Sequence, residues 1–376
     1  MIVSRRGRAI GALVLAAAAL TIIGCQNGAG TPAPTASTYK DYLYMTDTYS
    51  GKVYAYDPAS HAAFSQSVTA TKQDASGSIS FHSGIGYVAV GANGGEGVYY
   101  FDPSATNPTC SKIPGTFAAQ YLAFSGPTAA FASSSDYSGQ TSGLYYFNSS
   151  NPSSGCTQVS AAGSEYFQDV IVGPDSYIYV ADNANEKVLR IDPTSRTVLA
   201  TISTSAGGTT GLATGTLGAG AGAASGVFVA NTGGYDADFK PLPGSIDFIP
   251  AGAADRSQAT PISSETSTGG SIYPARLVQL SNGNLIATGY DHTYLVAFSG
   301  ATATVTELKD RNDASFGSLD IAYKDGLAYI PYSVEASTAQ FTNYLYVLDS
   351  TGAQESYSPV SVMTSSDSIT NIAFYE

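Results

Sequence analysis

Five polar residues stand where an apolar strand would tolerate apolar side chains: Tyr121, Asp169, Arg276, Asp320 and Asn371. Each lies at or near the start of a short apolar segment, in "QYLAFS", "DVIVGP", "RLVQLS", "DIAYKD" and "TNIAFY". Two carboxylates converging on one point suit a divalent cation such as calcium or magnesium, which makes Asp169 and Asp320 candidate metal ligands. Arg276 would then either neutralise one carboxylate or hold an anionic group of a polar small molecule, with Tyr121 and Asn371 contributing a hydroxyl and an amide. The competing reading of the same five residues is a hydrated plug of groups paired with one another.

Other catalytic signatures are missing. There is no H-E-x-x-H, G-x-S-x-G, C-x-x-C or Walker-type loop. The three histidines, His61, His82 and His292, fall in separate turns. The segment "DRNDASFGSLD" offers oxygens at Asp310, Asn312 and Asp313 but lacks the full calcium-loop spacing. Cys110 and Cys156 each lie eight residues past a matching position of neighbouring repeats, Asp102 and Asn148. An exported chain favours pairing them in a disulfide, whereas equivalent points on adjacent units usually lie beyond the ~7 Å Cα limit for a bridge, so both readings stand.

The elements that must position the five residues come from a repeat. "VYAYDPAS" (53–60) returns as "VYYFDPSA", "LYYFNSSN", "VLRIDPTS", "IDFIPAGA", "LVAFSGAT" and "LYVLDSTG". The fifth positions, Asp57, Asp102, Asn148, Asp192, Pro250, Ser299 and Asp349, are separated by 45, 46, 44, 58, 49 and 50 residues. Each phrase is an apolar strand broken by a turn, preceded by a second strand such as "YIYVAD" and a third such as "DVIVGPDS". With a weaker fourth strand after each phrase, seven such units predict an all-β, seven-bladed β-propeller. The first unit opens at its second strand, "YLYMTD", and the chain finishes on "SITNIAFYE", which has the character of a missing innermost strand. The C-terminal strand is therefore expected to close the first blade.

In "YVADNANEKVLRIDPTSRTVLATI" (179–202) the chain resembles the YVTN and NHL class of bacterial propeller repeats, with the resemblance extending over 39–376 and weakest in the fifth repeat. That class includes binding proteins, lyases and lactonases, and fold alone does not choose among them. The absence of tryptophan removes the docking repeats of quinone-dependent propellers, and there is no c-type haem attachment motif. The glycine-alanine insert "GTLGAGAGAASG" (215–226) leads into a strand rather than a helix, so it makes no phosphate loop. Long inserts at 133–143, 231–244, 309–318 and 333–343 share one face, a natural place for binding.

Arg5, Arg6 and Arg8 precede fifteen uncharged residues, Ala9 to Ile23, too few to span a membrane and suited to a signal-peptide core. Ile22-Ile23-Gly24-Cys25 resembles the lipobox of bacterial lipoproteins. The resemblance implies cleavage after Gly24 and acylation of the Cys25 thiol, with residues 1–24 the signal peptide and 25–38 a lipidated cysteine and flexible linker. Two or more acyl chains hold a protein stably to a membrane. Gln26 rather than Asp after the cysteine fits outer-membrane sorting in a two-membrane cell.

The whole chain carries a formal charge of −13, which becomes −16 once residues 1–24 and their three arginines are gone. Such a surface repels nucleic acid. The leading expectation is a cell-envelope protein, lipid-anchored through Cys25, that binds or scaffolds, with another envelope protein or a polar small molecule as partner. The alternative is a metal-assisted lactonase, hydrolase or lyase working at the central channel.

Overall fold

The computed structural model describes residues 41–375 apart from 48–50, 69–76, 92–95, 106–107, 137–140, 219–221, 239, 300–301, 338–339 and 366–367. The signal segment, Cys25 and the linker lie outside the described residues. The described chain belongs to one compact unit, 36–376, and no helix in it is long and apolar enough to cross a membrane.

Seven four-stranded antiparallel sheets make up the unit. From innermost strand outward, blade 2 is built from 79–82, 85–90, 97–101 and 111–112, and blade 3 from 119–125, 129–134, 143–148 and 156–158. Blade 4 uses 167–172, 178–182, 187–191 and 198–203; blade 5 uses 207–217, 224–233, 245–250 and 260–263. Blade 6 uses 276–279, 285–288, 293–299 and 302–308; blade 7 uses 322–324, 327–337, 340–348 and 360–365. Blade 1 takes its innermost strand from the C-terminus: 369–374 pairs with 43–47, which continues to 53–57 and 62–68. Leu43 faces Phe374 and Thr46 faces Asn371 across that junction. The expected seven-bladed ring with a C-terminal closing strand is the architecture observed.

Both faces of each sheet are covered by a neighbour, which is why the strands read as nearly continuous apolar runs rather than strict alternations. Seven buried clusters result, one at each junction between blades. Leu43 and Met45 pack with Tyr329 and Leu345 at the 7–1 junction, while the intervening Tyr44 turns the other way to join Ile79 and Val88 at the 1–2 junction. Phe131 and Leu144 meet Phe167 and Ile178 at the 3–4 junction. Full burial of one such side chain contributes roughly 1.5–3 kcal/mol.

The repeated fifth-position residue is a turn device. Asp57, Asp102, Asn148, Asp192 and Asp349 each accept, through a side-chain oxygen, the amide two residues on, at 2.7–2.9 Å. This local bond mimics a backbone turn and lets the chain reverse out of the third strand. The five matching polar residues thus belong to folding, not to a site.

Two of the long inserts are hairpin extensions rather than irregular loops. Strands 327–337 and 340–348 stay paired through Ser337 and Gln340, and Tyr235 bridges to Pro241 beyond the end of 224–233. The two thiols are unbridged, which corrects the candidate pairing. Cys110 borders the 1–2 core and Cys156 the 2–3 core, so a whole blade separates their surroundings. Burial pushes both thiols up to about 12.

Candidate functional site

The innermost strands do not run straight into the channel. In blades 1, 3, 4 and 5 each carries one extra residue against its neighbour: between Ile369 and Asn371, Ala119 and Leu122, Phe167 and Asp169, and Thr209 and Gly211. Such bulges free a residue from the ladder and re-aim the side chains beside it. They occur at one level of the ring, where the strands begin, and this is the level of the five polar residues. Gly211 lets blades 5 and 6 come together there, since a Cβ on it would lie 2.2 Å from the Ala275 carbonyl oxygen.

All five predicted residues meet at that level. Arg276, from blade 6, lays its guanidinium 3.8 Å from the ring centroid of Tyr121, from blade 3. Its Nη1 donates to the carbonyls of Thr210 (2.6 Å) and Ala275 (3.0 Å) and lies 3.7 Å from Asp169 Oδ2. The Tyr121 hydroxyl reaches across the axis to the Leu319 carbonyl (3.3 Å) and to Asn371 Oδ1 (3.4 Å). Blades 1, 3, 4, 5 and 6 and the segment leading into blade 7 all contribute an atom.

The two carboxylates also join blades. Asp169 accepts its own following amide, Val170, at 2.7 Å and that of Leu212 in the next blade at 2.8 Å. Asp320 repeats the arrangement with Ile321 and Ile372, both at 2.9 Å. Each is a two-point cap across a blade junction, 4 to 5 and 7 to 1. Main-chain partners have no side-chain signature, so Leu212, Thr210, Leu319 and Ile372 could not be found from residue types.

Asp169, Arg276, Asp320 and Asn371 are all buried. Burial raises the Asp320 carboxyl to about 7, against the pull of the Ile372 amide and of Arg276. It raises Asp169 as well, opposed by Arg276 and the Leu212 amide. Burial works against the charge on Arg276, but Tyr121, Asp169 and Asp320 outweigh it and hold the guanidinium cationic. The Nε of Arg276 is buried and has no acceptor among the described residues.

The convergence is therefore as expected, and most of its groups are paired with one another, as in the plug reading. As a seat for calcium or magnesium the set fits poorly. Each carboxylate already accepts two backbone amides, and the guanidinium faces Asp169. Asp310 likewise spends one oxygen on the amides of Asn312 and Ala314, both at 2.8 Å. What the central set offers is a guanidinium Nε–H with no acceptor among the described residues and, under the influence of the same guanidinium, a carboxyl raised to about 7.

No protein-family model matches the chain, and no curated protein matches it. Solved structures do. A periplasmic gluconolactonase of Pseudomonas aeruginosa superposes with a TM-score of 0.60 at 12% identity, covering 89% of this chain and 99% of that one. A putative 6-phosphogluconolactonase of Bacteroides fragilis gives 0.60 at 11% identity, covering 92% and 100%. A streptogramin B lyase gives 0.55 at 13% identity, covering 80% and 92%. At these identities the likeness is one of fold.

Proposed function

We propose that this chain is an extracytoplasmic propeller, tethered by lipid on Cys25, that hydrolyses the ester bond of a small lactone at the Arg276–Asp320 end of its channel. The observation that carries the reading is the Nε–H of Arg276, without an acceptor among the described residues, in the same polar cluster as a carboxyl raised to about 7. Perturbed titratable groups gathered in one place are a recognised mark of a working site. The names of the structural neighbours, gluconolactonase and 6-phosphogluconolactonase, point to the same bond type.

In this reading the Nε–H donates to the lactone carbonyl oxygen and stabilises the negative charge that develops there. Ionised Asp320 takes a proton from water as the water oxygen bonds to the carbonyl carbon. The ring C–O bond then breaks, and the leaving oxygen recovers that proton from Asp320, giving a hydroxy acid. Tyr121 holds the guanidinium in place through its ring face. A single basic side chain that already faces Asp169 suits an uncharged lactone better than a phosphorylated one.

Gluconolactone opening by the purified protein, followed by proton release, tests the reading. Turnover should rise with pH through about 7, as Asp320 becomes ionised. It should fall by about 10²-fold or more in Asp320→Asn, with a cooperative unfolding transition retained. Absence of turnover, or equal turnover by the variant, overturns it.

A further inference from the structure

Thr288 stands directly opposite Arg276 in the paired strands 276–279 and 285–288. Leu277, Leu285 and Ala287 pack into the cluster between blades 5 and 6, while Val278 and Ile286 pack into the one between blades 6 and 7. Side chains alternate along a strand, so residues 276 and 288 both set out toward blade 7, the blade that Asp320 opens. Directly opposed residues hold their Cβ atoms about 4.5–5.5 Å apart. Ala275 ties the two together: its amide donates to the Thr288 carbonyl at 2.6 Å, and its carbonyl accepts from Arg276 Nη1 at 3.0 Å.

The Thr288 hydroxyl is fully buried and, like Arg276 Nε, has no hydrogen-bond partner among the described residues. Hydroxyls at the matching place in other blades are spent on the main chain. Thr46, opposite Asn371 in blade 1, reaches the carbonyls of Gly77 at 3.5 Å and Asn371 at 3.4 Å. In blade 3 the Ser133 hydroxyl accepts the Tyr121 amide at 3.1 Å. A buried donor without an acceptor costs free energy, and blade 6 carries two on opposed residues. Two donors rooted side by side suit one oxygen with two lone pairs. The guanidinium repels a cation, while Asp169, 3.7 Å from Arg276 Nη1, disfavours an anion, which leaves an uncharged acceptor.

We infer that Arg276 Nε and Thr288 Oγ1 together seat one uncharged carbonyl oxygen of the bound molecule. The inference rests on the lactone reading for the identity of that oxygen and adds Thr288 to the residues that touch it. Two donors at one oxygen hold a carbonyl more firmly than one, and both strengthen as negative charge develops on it. The β-branched threonine suits the task, because its stiff χ1 keeps the hydroxyl in place. Ligand-observed NMR titration of δ-valerolactam, a cyclic carbonyl compound that resists hydrolysis, tests the seat on the purified full-length protein. Gluconolactone turnover by the same variants tests its part in the reaction.

The lactam should bind saturably to the parent. Thr288→Val, which keeps the shape and removes the hydroxyl, should weaken lactam binding about tenfold, and Thr288→Ser should restore it. The valine variant should melt no lower than the parent, since the hydroxyl it removes bonds to nothing among the described residues. Its kcat for the lactone should fall about 10²-fold with KM little changed. No saturable lactam binding by the parent overturns the seat, as does parental affinity in Thr288→Val, an equal loss in Thr288→Ser, or a lower melting temperature in the valine variant. If the lactam binds in this pattern while no lactone is opened, hydrolysis falls and the carbonyl seat stands.

Discussion

Tyr121 and Arg276 come from blades 3 and 6, yet the guanidinium lies 3.8 Å from the centre of the phenol ring. This contact links two blades that are not neighbours in the ring. It also explains how a buried cation is tolerated, because the ring face, two carbonyls and Asp169 share its charge.

Arg276→Met should destabilise the fold by about 3–5 kcal/mol, because it leaves Asp169 buried beside no positive charge. Asp169→Asn alone keeps the shape and should cost less. Combining the two should recover part of the Arg276→Met loss, a coupling readable by urea unfolding of the four members of the cycle.

Stability should decline as pH rises from about 4 to about 7. A carboxyl in the unfolded chain titrates at about 4, and Asp320 in the folded chain at about 7. Between those values the native state holds the extra proton, so the stabilisation is complete below the unfolded value and is lost as pH passes the folded one. A tenfold displacement of a protonation equilibrium is worth about 1.4 kcal/mol. Melting temperatures of Asp320→Asn should therefore show a visibly flatter profile over that window.

Gly211→Ala should be poorly tolerated although the change is a single methyl. The new atom would lie 2.2 Å from the Ala275 carbonyl, and both chains there are backbone, so neither can swing aside. A cost of about 2 kcal/mol or more is expected by chemical unfolding. Any lactone turnover should fall with it, since Ala275 adjoins Arg276.

Cys25→Ala should abolish incorporation of labelled fatty acid and leave the signal segment attached. Labelled lipid that still enters the variant would refute the anchor.

The ring was legible because a blade is a local unit. Each phrase such as "VLRIDPTS" records a strand and the turn that ends it, and those are set by neighbouring residues. The convergence of Tyr121, Asp169, Arg276, Asp320 and Asn371 could be read for the same reason, as matched places in a repeat share one depth in the ring. How these residues spend their bonding was not legible. The caps on Leu212 and Ile372 use amides that every residue type carries. The bulges that free Thr210 and re-aim Tyr121 depend on a one-residue count against the next strand. The hairpin at 327–348 looked like a loop because Ser, Thr and Glu in "SVEASTAQFTN" carry no apolar alternation.

Blade 1 has a schedule as well as a shape. Its second strand, 43–47, is made early, and its innermost strand only at the very end; Asp47 accepts the amide of Ser368, 321 residues away. A chain made N-terminus first leaves one edge of 43–47 open until the last strand arrives, although 53–57 covers the other edge. During that interval the open edge is a template for a neighbour's chain. Folding of this ring therefore finishes only when the last strand has been made, and the first blade is the last to be completed.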